Sequence, residues 1–139
     1  MITFFVSGVP KAMSVGGVAR FKRGATVQMV PKRTNTEWAT LVGHTGRQCA
    51  PERPLEGAVS LEIRFYLPRP TSASKRVVEP IKRPDLDNLL HKLTDQWNGV
   101  FWHDDSQVTL LLASKSFDPE GRVGAEFTVA PITNGGSER

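Results

Sequence analysis

Two pairs of aspartates are the residues in this sequence whose type and spacing best suit metal chemistry. Asp85 and Asp87 follow Pro84, and Asp104 and Asp105 come after an intervening apolar segment. Pro84 favours extended chain, in which residues 85 and 87 project to the same side, whereas in a helix they would lie about 200° apart. We therefore expect Asp85 in the lead-in to a helix and Asp87 at or beside its N-cap. The two carboxylates would repel each other, and a hard divalent cation such as Mg²⁺ would relieve that repulsion.

The same aspartates also have a purely structural interpretation. Asp is a common helix N-cap, and Asp-Asp-Ser before a strand is typical of a turn. Two acidic pairs that flank one amphipathic helix, next to the most basic segment of the chain, favour the metal site. On the residues alone, both interpretations stay open.

Positive charge is concentrated in the first part of the chain. Residues 1–84 contain 14 of the 18 Lys and Arg but only 5 of the 14 Asp and Glu. This asymmetry favours a surface that binds a polyanion beside one that binds a metal, although uneven surface charge alone would give the same counts. The candidate contacts to backbone phosphates, which would give affinity without sequence readout, are Lys75, Arg76, Lys82 and Arg83, and nearer the N-terminus Arg20, Lys22, Arg23, Lys32 and Arg33.

Composition narrows the class of protein. A length of 139 residues with 39% hydrophobic and 23% charged residues is typical of one globular domain. Apolar runs of only a few residues exclude a membrane-spanning helix, and the N-terminus makes a poor signal peptide, so we expect a cytosolic protein. The single cysteine, Cys49, excludes an internal disulfide and a cysteine-built zinc site, and His44, His91 and His103 lack zinc spacing. No nucleotide-binding glycine motif is present.

Periodicity predicts the elements that would position these residues. Strands are expected at 2–7, 25–30, 59–67, 107–117 and 123–129, with 11–23 irregular, 107–117 largely buried and the first two strands forming a hairpin with a long basic loop. One helix is expected around Trp38 to Cys49 and a second, continuous one from Leu86 to Trp97, where apolar residues recur at helical spacing. We expect residues 68–83 to form a mobile, exposed basic loop. The prediction is a single α+β domain over residues 1–131, with a mixed sheet of about five strands and two main helices, followed by a frayed tail at 132–139.

The segment from residue 83 to 108 resembles a known family. Its sequence reads RPDLDNLL, then Asp95, then NGVFWHDDSQV, which is similar to the motif of the RusA family of Holliday junction resolvases, common in phages and prophages. The resemblance implies a homodimeric, Mg²⁺-dependent endonuclease, with Mn²⁺ as a possible substitute, that makes paired nicks in four-way DNA junctions during recombination and repair. It also implies that Asp85, Asp87 and Asp105 are the essential carboxylates, with Asp104 as an adjacent contributor.

One position departs from the family pattern. The family usually has a catalytic lysine four residues after the second carboxylate, where this sequence has His91 followed by Lys92. Either His91 serves as hydrogen-bond donor or proton carrier, or Lys92 reaches round from a helix position rotated by about 100°. Two other functions therefore stay open: a metal-dependent nuclease of looser specificity, and a junction-binding protein that has lost its chemistry.

Overall fold

The computed structural model describes residues 1–12, 18–23, 26–31, 36–70 and 79–133. The strands are β1 (Ile2–Ser7), β2 (Val18–Arg23), β3 (Thr26–Pro31), β4 (Val59–Tyr66), β5 (Val108–Ser116) and β6 (Gly124–Pro131). The helices are α1 (Thr36–Cys49) and α2 (Leu86–Leu90), with short 3-10 turns at Asp95–Trp97 and Asp105–Gln107. The last six residues, which we expect to fray, lie outside the described residues.

The main sheet has four strands in the order β1-β6-β4-β5. β4 and β5 are parallel, and the other neighbours are antiparallel, so the sheet is mixed as the sequence predicts. A parallel pair requires a crossover connection, and the segment from 67 to 107, which includes α2 and both acidic pairs, supplies it. The expected α+β class is confirmed, with four strands in the mixed sheet rather than five.

The expected N-terminal hairpin is wrong. β1 pairs with β6 along its whole length, from Ile2 opposite Val129 to Ser7 opposite Gly124. β3 pairs instead with β2, which lies within the stretch expected to be irregular, and these two strands form a separate two-stranded sheet. The sequence did not predict β2 because its basic residues interrupt the regular alternation of apolar and polar residues, which is the main sign of a strand in sequence.

The core lies on one face of the main sheet. The alternation in β4 is confirmed, since Val59, Leu61, Ile63 and Phe65 are all buried. The largest buried side chains packed with them are Trp38, Trp97, Phe101, Trp102 and Phe127. Trp38 of α1 is therefore part of the core of this chain.

The glycines of α1 have a packing role. A Cβ at Gly46 would collide with the indole of Trp97, and one at Gly43 would overlap the side-chain amide of Gln96. These glycines weaken the helical pattern in the sequence, yet they let α1 approach the turn Asp95–Trp97 closely.

The second helix is shorter than predicted. α2 ends at Leu90, His91 has an extended conformation, and Lys92 has φ of 63°, a left-handed conformation that ends the helix. Leu93 and Trp97 are nevertheless fully buried, so the apolar spacing identified the core-facing side correctly but not the path of the backbone.

β5 is also less buried than predicted. It is the edge strand of the sheet, and Leu110, Leu111 and Leu112 are each about half exposed. Its run of apolar residues resembled that of a central strand, although only one edge of β5 is paired. No helix within the described ranges is both long and apolar enough to cross a bilayer.

Candidate active site

The first acidic pair lies at the start of α2. Asp85 is the N-cap residue, with φ of −71° and ψ of 147°, and Asp87 lies inside the first turn, so each lies further along the helix than the sequence predicts. The Asp85 carbonyl accepts the Leu89 N–H at 3.1 Å, but the Asp85 carboxylate makes no capping hydrogen bond. Both aspartates are exposed. The capping interpretation therefore accounts for the backbone of Asp85 and leaves its carboxylate uncommitted.

The second acidic pair is held in a closely bonded turn. The Asp104 carboxylate accepts the Ser106 N–H at 3.0 Å. Hydrogen bonding by the Ser106 side chain, and then by its backbone N–H, holds the pKa of Asp104 below its ordinary value. Gln107 Oε1 accepts the N–H groups of His103 and Asp104 at 2.7 and 3.0 Å. Asp104 thus serves as the cap of this turn, whereas the Asp105 carboxylate takes no part in the capping bonds.

Gln107 also fastens this turn to the rest of the protein. Its Nε2 donates to the carbonyl oxygens of Leu55 and Gly57 at 2.8 and 2.9 Å. Both carbonyls lie just before β4, whereas Gln107 lies just before β5. The side-chain amide therefore fixes the acidic turn against the segment that enters the neighbouring strand.

Asp105 has a neighbour, Asp95, that the sequence did not identify as a candidate site residue. The neighbouring Asp95 carboxyl raises the pKa of Asp105, chiefly because the two side chains can share a hydrogen bond when one of them is protonated. Partial burial and the charges of Asp95 and Asp104 act in the same direction. The Lys92 ammonium lies 3.7 Å from the Asp95 carboxylate. Asp95 falls inside the segment that resembles the RusA motif, but no spacing rule places it beside Asp105.

The family's lysine position has an unexpected geometry. Because α2 ends at Leu90, the expected 100° rotation between His91 and Lys92 on one continuous helix does not apply. His91 is exposed at the end of α2, whereas Lys92 is directed toward Asp95. His103 is exposed, and its Nε2 lies 2.9 Å from Glu56 Oε1.

The two acidic groups lie toward opposite ends of β5. Lys115, near the end of the strand, bonds to the carbonyl that precedes Asp85, whereas Asp105 lies in the turn just before the strand begins. A strand of nine residues spans roughly 30 Å. Among the residues that the structure describes, no three His, Cys, Asp or Glu side chains are grouped closely enough to hold a metal ion. Within one chain, Asp85, Asp87 and Asp105 are therefore not brought together.

The candidate DNA-binding residues are only partly covered by the structure. Lys82 and Arg83 are exposed immediately before the first acidic pair. Arg20, Lys22 and Arg23 lie in β2. Lys75, Arg76, Lys32 and Arg33 are outside the described residues.

Two comparisons with known proteins give matches over most of the chain. Residues 10–127 match the family model described as endodeoxyribonuclease RusA. The chain is also similar to the uncharacterized protein YqaN of Bacillus subtilis (strain 168), with 31% identity over 132 residues, covering 88% of this chain and 92% of that protein. Both acidic groups fall within the matched range.

Proposed function

Because this chain belongs to the RusA family of endodeoxyribonucleases, we propose that it resolves four-way DNA junctions by paired, metal-dependent nicks. The observation that carries the proposal is the state of the Asp85 carboxylate, which lies exposed at a helix N-cap and makes no capping hydrogen bond. Its neighbour Asp87 is exposed as well. Two uncommitted carboxylates next to exposed Lys82 and Arg83 suit a site that takes a cation and a phosphate together.

Mg²⁺ fits the donors that the chain presents, and Mn²⁺ could replace it. Mg²⁺ takes oxygen ligands, commonly one or two protein carboxylates, and completes its shell with water and phosphate oxygens. Asp85 and Asp87 of one chain would hold it together with Asp105 of a second copy, whereas Asp104 already caps its turn. When bound, the ion supplies an activated water and neutralises phosphate charge. The chain's own contribution is to hold the carboxylates in place and to bring the phosphodiester to them.

We propose that the active species is a homodimer. Symmetric nicks in opposed strands require two sites related by a twofold axis, which a dimer of identical chains provides. The placement of Asp85 and Asp105 toward opposite ends of β5 supports this, because a second copy could bring carboxylates from two chains into one site.

Binding would be dominated by phosphate contacts. Lys82 and Arg83 are exposed beside Asp85, and the other basic candidates precede them in the chain. Phosphate neutralisation releases counterions, so junction affinity is expected to fall steeply as salt rises. A flat salt dependence would contradict this mode of binding.

The deciding experiment compares a labelled four-way junction with linear duplex in Mg²⁺. The wild-type protein, Asp85→Asn and Asp105→Asn are tested beside Glu62→Gln, a control that removes an exposed carboxylate on β4. Symmetric paired nicks confined to the junction, lost in both aspartate variants and kept in the control, would support a resolvase. Equal cutting of flaps, forks and single strands would indicate a nuclease of looser specificity. Junction binding without cleavage in Mg²⁺ or Mn²⁺ would indicate a protein that has lost its chemistry.

A further inference from the structure

Lys115 ties the segment before Asp85 to the main sheet. Its Nζ donates to the carbonyl oxygens of Lys82 at 2.9 Å and Pro84 at 3.0 Å. The backbone of Lys115 is paired with Phe65 of β4, whose side chain is fully buried. Paired residues on neighbouring strands project to the same face, so Lys115 leaves the sheet on the face that carries the core. The ammonium therefore anchors the segment before Asp85 to the main sheet.

Little else in the described residues fastens this segment. The Ile81 side chain is 87% exposed, and its N–H bonds locally to the Glu79 carbonyl. Lys82 and Arg83 are exposed. Within residues 79–84, the hydrogen bonds that reach β5 are the two from Lys115. Asp85 follows directly, and because its carboxylate makes no capping bond, the backbone before it sets its position.

We propose that Lys115 is a positioning residue for the Asp85 carboxylate and so controls the affinity of the site for a divalent cation. By holding two carbonyls at once, the ammonium fixes the direction in which the chain enters α2. The inference rests on the proposed function in one respect, because it takes Asp85 as a metal ligand. Groups that orient metal ligands through hydrogen bonds typically change metal affinity by about 10- to 100-fold when removed.

Direct binding of Mn²⁺ to the full-length protein, followed by electron paramagnetic resonance without DNA, tests this role. Lys115→Met keeps the aliphatic stem and removes the donors, and we expect about tenfold weaker Mn²⁺ binding. Lys115→Arg retains charge and donors, and we expect it to recover most of the affinity. Arg64→Met is the matched control, because it removes an exposed positive charge from β4 without touching these carbonyls, and its affinity should equal that of the wild type.

Two further readouts separate positioning from a general loss of stability. Junction cleavage by Lys115→Met should return to the wild-type rate at saturating Mn²⁺, with the KM for the junction unchanged. Amide exchange at Leu89, whose N–H bonds to the Asp85 carbonyl, should be faster in Lys115→Met, whereas exchange in the core strand β4 should not change.

Equal Mn²⁺ affinity in folded Lys115→Met and wild type would overturn the proposal, as would a wild-type protein that binds no Mn²⁺. If Lys115→Met does not fold, Lys115→Gln, which keeps one donor group, is compared in the same way. Failure of the proposed function gives a different result: the wild type would bind Mn²⁺ and fail to cut junctions, and the Lys115 comparison would still decide the positioning role.

Discussion

The carboxyl group of Asp105 lies beside that of Asp95, although the two residues belong to different turns. Asp95 opens the turn Asp95–Trp97, which the fully buried Trp97 anchors in the core. Asp105 opens the turn that Gln107 fastens to the segment before β4. These two anchored turns bring two carboxyl groups together, and the two groups repel each other when both are charged.

Asp105→Asn is expected to raise the melting temperature at pH 7 while abolishing cleavage. The folded state raises the pKa of Asp105 above 3.8, chiefly through Asp95, so the folded chain holds this proton more tightly than the unfolded chain. The free energy of unfolding therefore falls as pH rises from 3.8 through the raised pKa. Above that pKa the Asp105 carboxylate is charged, and its repulsion with Asp95 destabilises the folded state in full. Asparagine removes that penalty, so the gain should be present at pH 7 and vanish near pH 3, as measured by thermal unfolding across this range.

Asp104→Asn is expected to have the opposite effect on stability. The Ser106 bonds lower the pKa of Asp104 below 3.8, so its contribution to stability is present above pH 3.8 and is lost as pH falls through the lowered pKa. The variant should melt at a lower temperature than the wild type at pH 7 and match it at strongly acid pH. If both neighbouring variants shift the melting temperature in the same direction at pH 7, the assignment of different roles to the two aspartates is wrong.

Gly46→Ala is expected to destabilise the protein by about 1–3 kcal/mol, because the new methyl group would collide with the Trp97 indole. Helix propensity alone predicts a gain of about 1 kcal/mol for this change. Urea unfolding separates the two effects. Thr40→Ala, an exposed position of the same helix, serves as the control and should be stable to within about 0.5 kcal/mol. A stabilised Gly46→Ala would mean that α1 can move away from Trp97.

The parts of this fold that the sequence predicted are those with a strong local pattern. The alternation of β4 predicted its first residue, its last residue to within one position, and its buried face, and the spacing of Leu89, Leu93 and Trp97 identified a core-facing stripe. That stripe did not reveal the end of α2, because residues three or four apart can reach the core from a helix or from consecutive short turns. The left-handed conformation of Lys92 has no strong signal, since lysine rarely adopts it.

The sequence identified the residues of the candidate site but not how they are arranged in space. The two acidic pairs stood out by their spacing, yet the contacts that set their geometry connect distant residues. Gln107 bonds to carbonyls some 50 residues away, and Lys115 to carbonyls more than 30 residues away. The acceptors of these bonds are backbone carbonyls. Because every residue type has one, the sequence does not show which residues accept the bonds.

Lys92→Met is expected to reduce junction cleavage more than His91→Ala. The Lys92 ammonium lies beside Asp95, which neighbours Asp105, whereas His91 is exposed at the end of α2. Loss of the ammonium leaves the Asp95–Asp105 pair without its positive neighbour. Because Lys92 would act on Asp105 only through Asp95, we expect about a tenfold fall in kcat. The pH–rate profile of His91→Ala should match that of the wild type. A changed profile in His91→Ala, with Lys92→Met fully active, would instead give the imidazole the role of proton carrier.

Gln107→Leu is expected to lower both stability and cleavage. The substitution keeps side-chain volume but removes an amide that makes four hydrogen bonds, two accepted and two donated. The bond to the Leu55 carbonyl is partly buried and the other three are exposed, so the main cost is the unpaired Leu55 carbonyl, at about 1 kcal/mol, the low end of the range for buried groups. Gln107→Glu separates the two sets of bonds. A carboxylate can still accept from the N–H groups of His103 and Asp104 but cannot donate to the carbonyls of Leu55 and Gly57. If the donated bonds hold the turn against the segment before β4, Gln107→Glu should unfold in urea as early as Gln107→Leu. A Gln107→Glu protein with wild-type stability would show instead that the capping interaction alone maintains the turn.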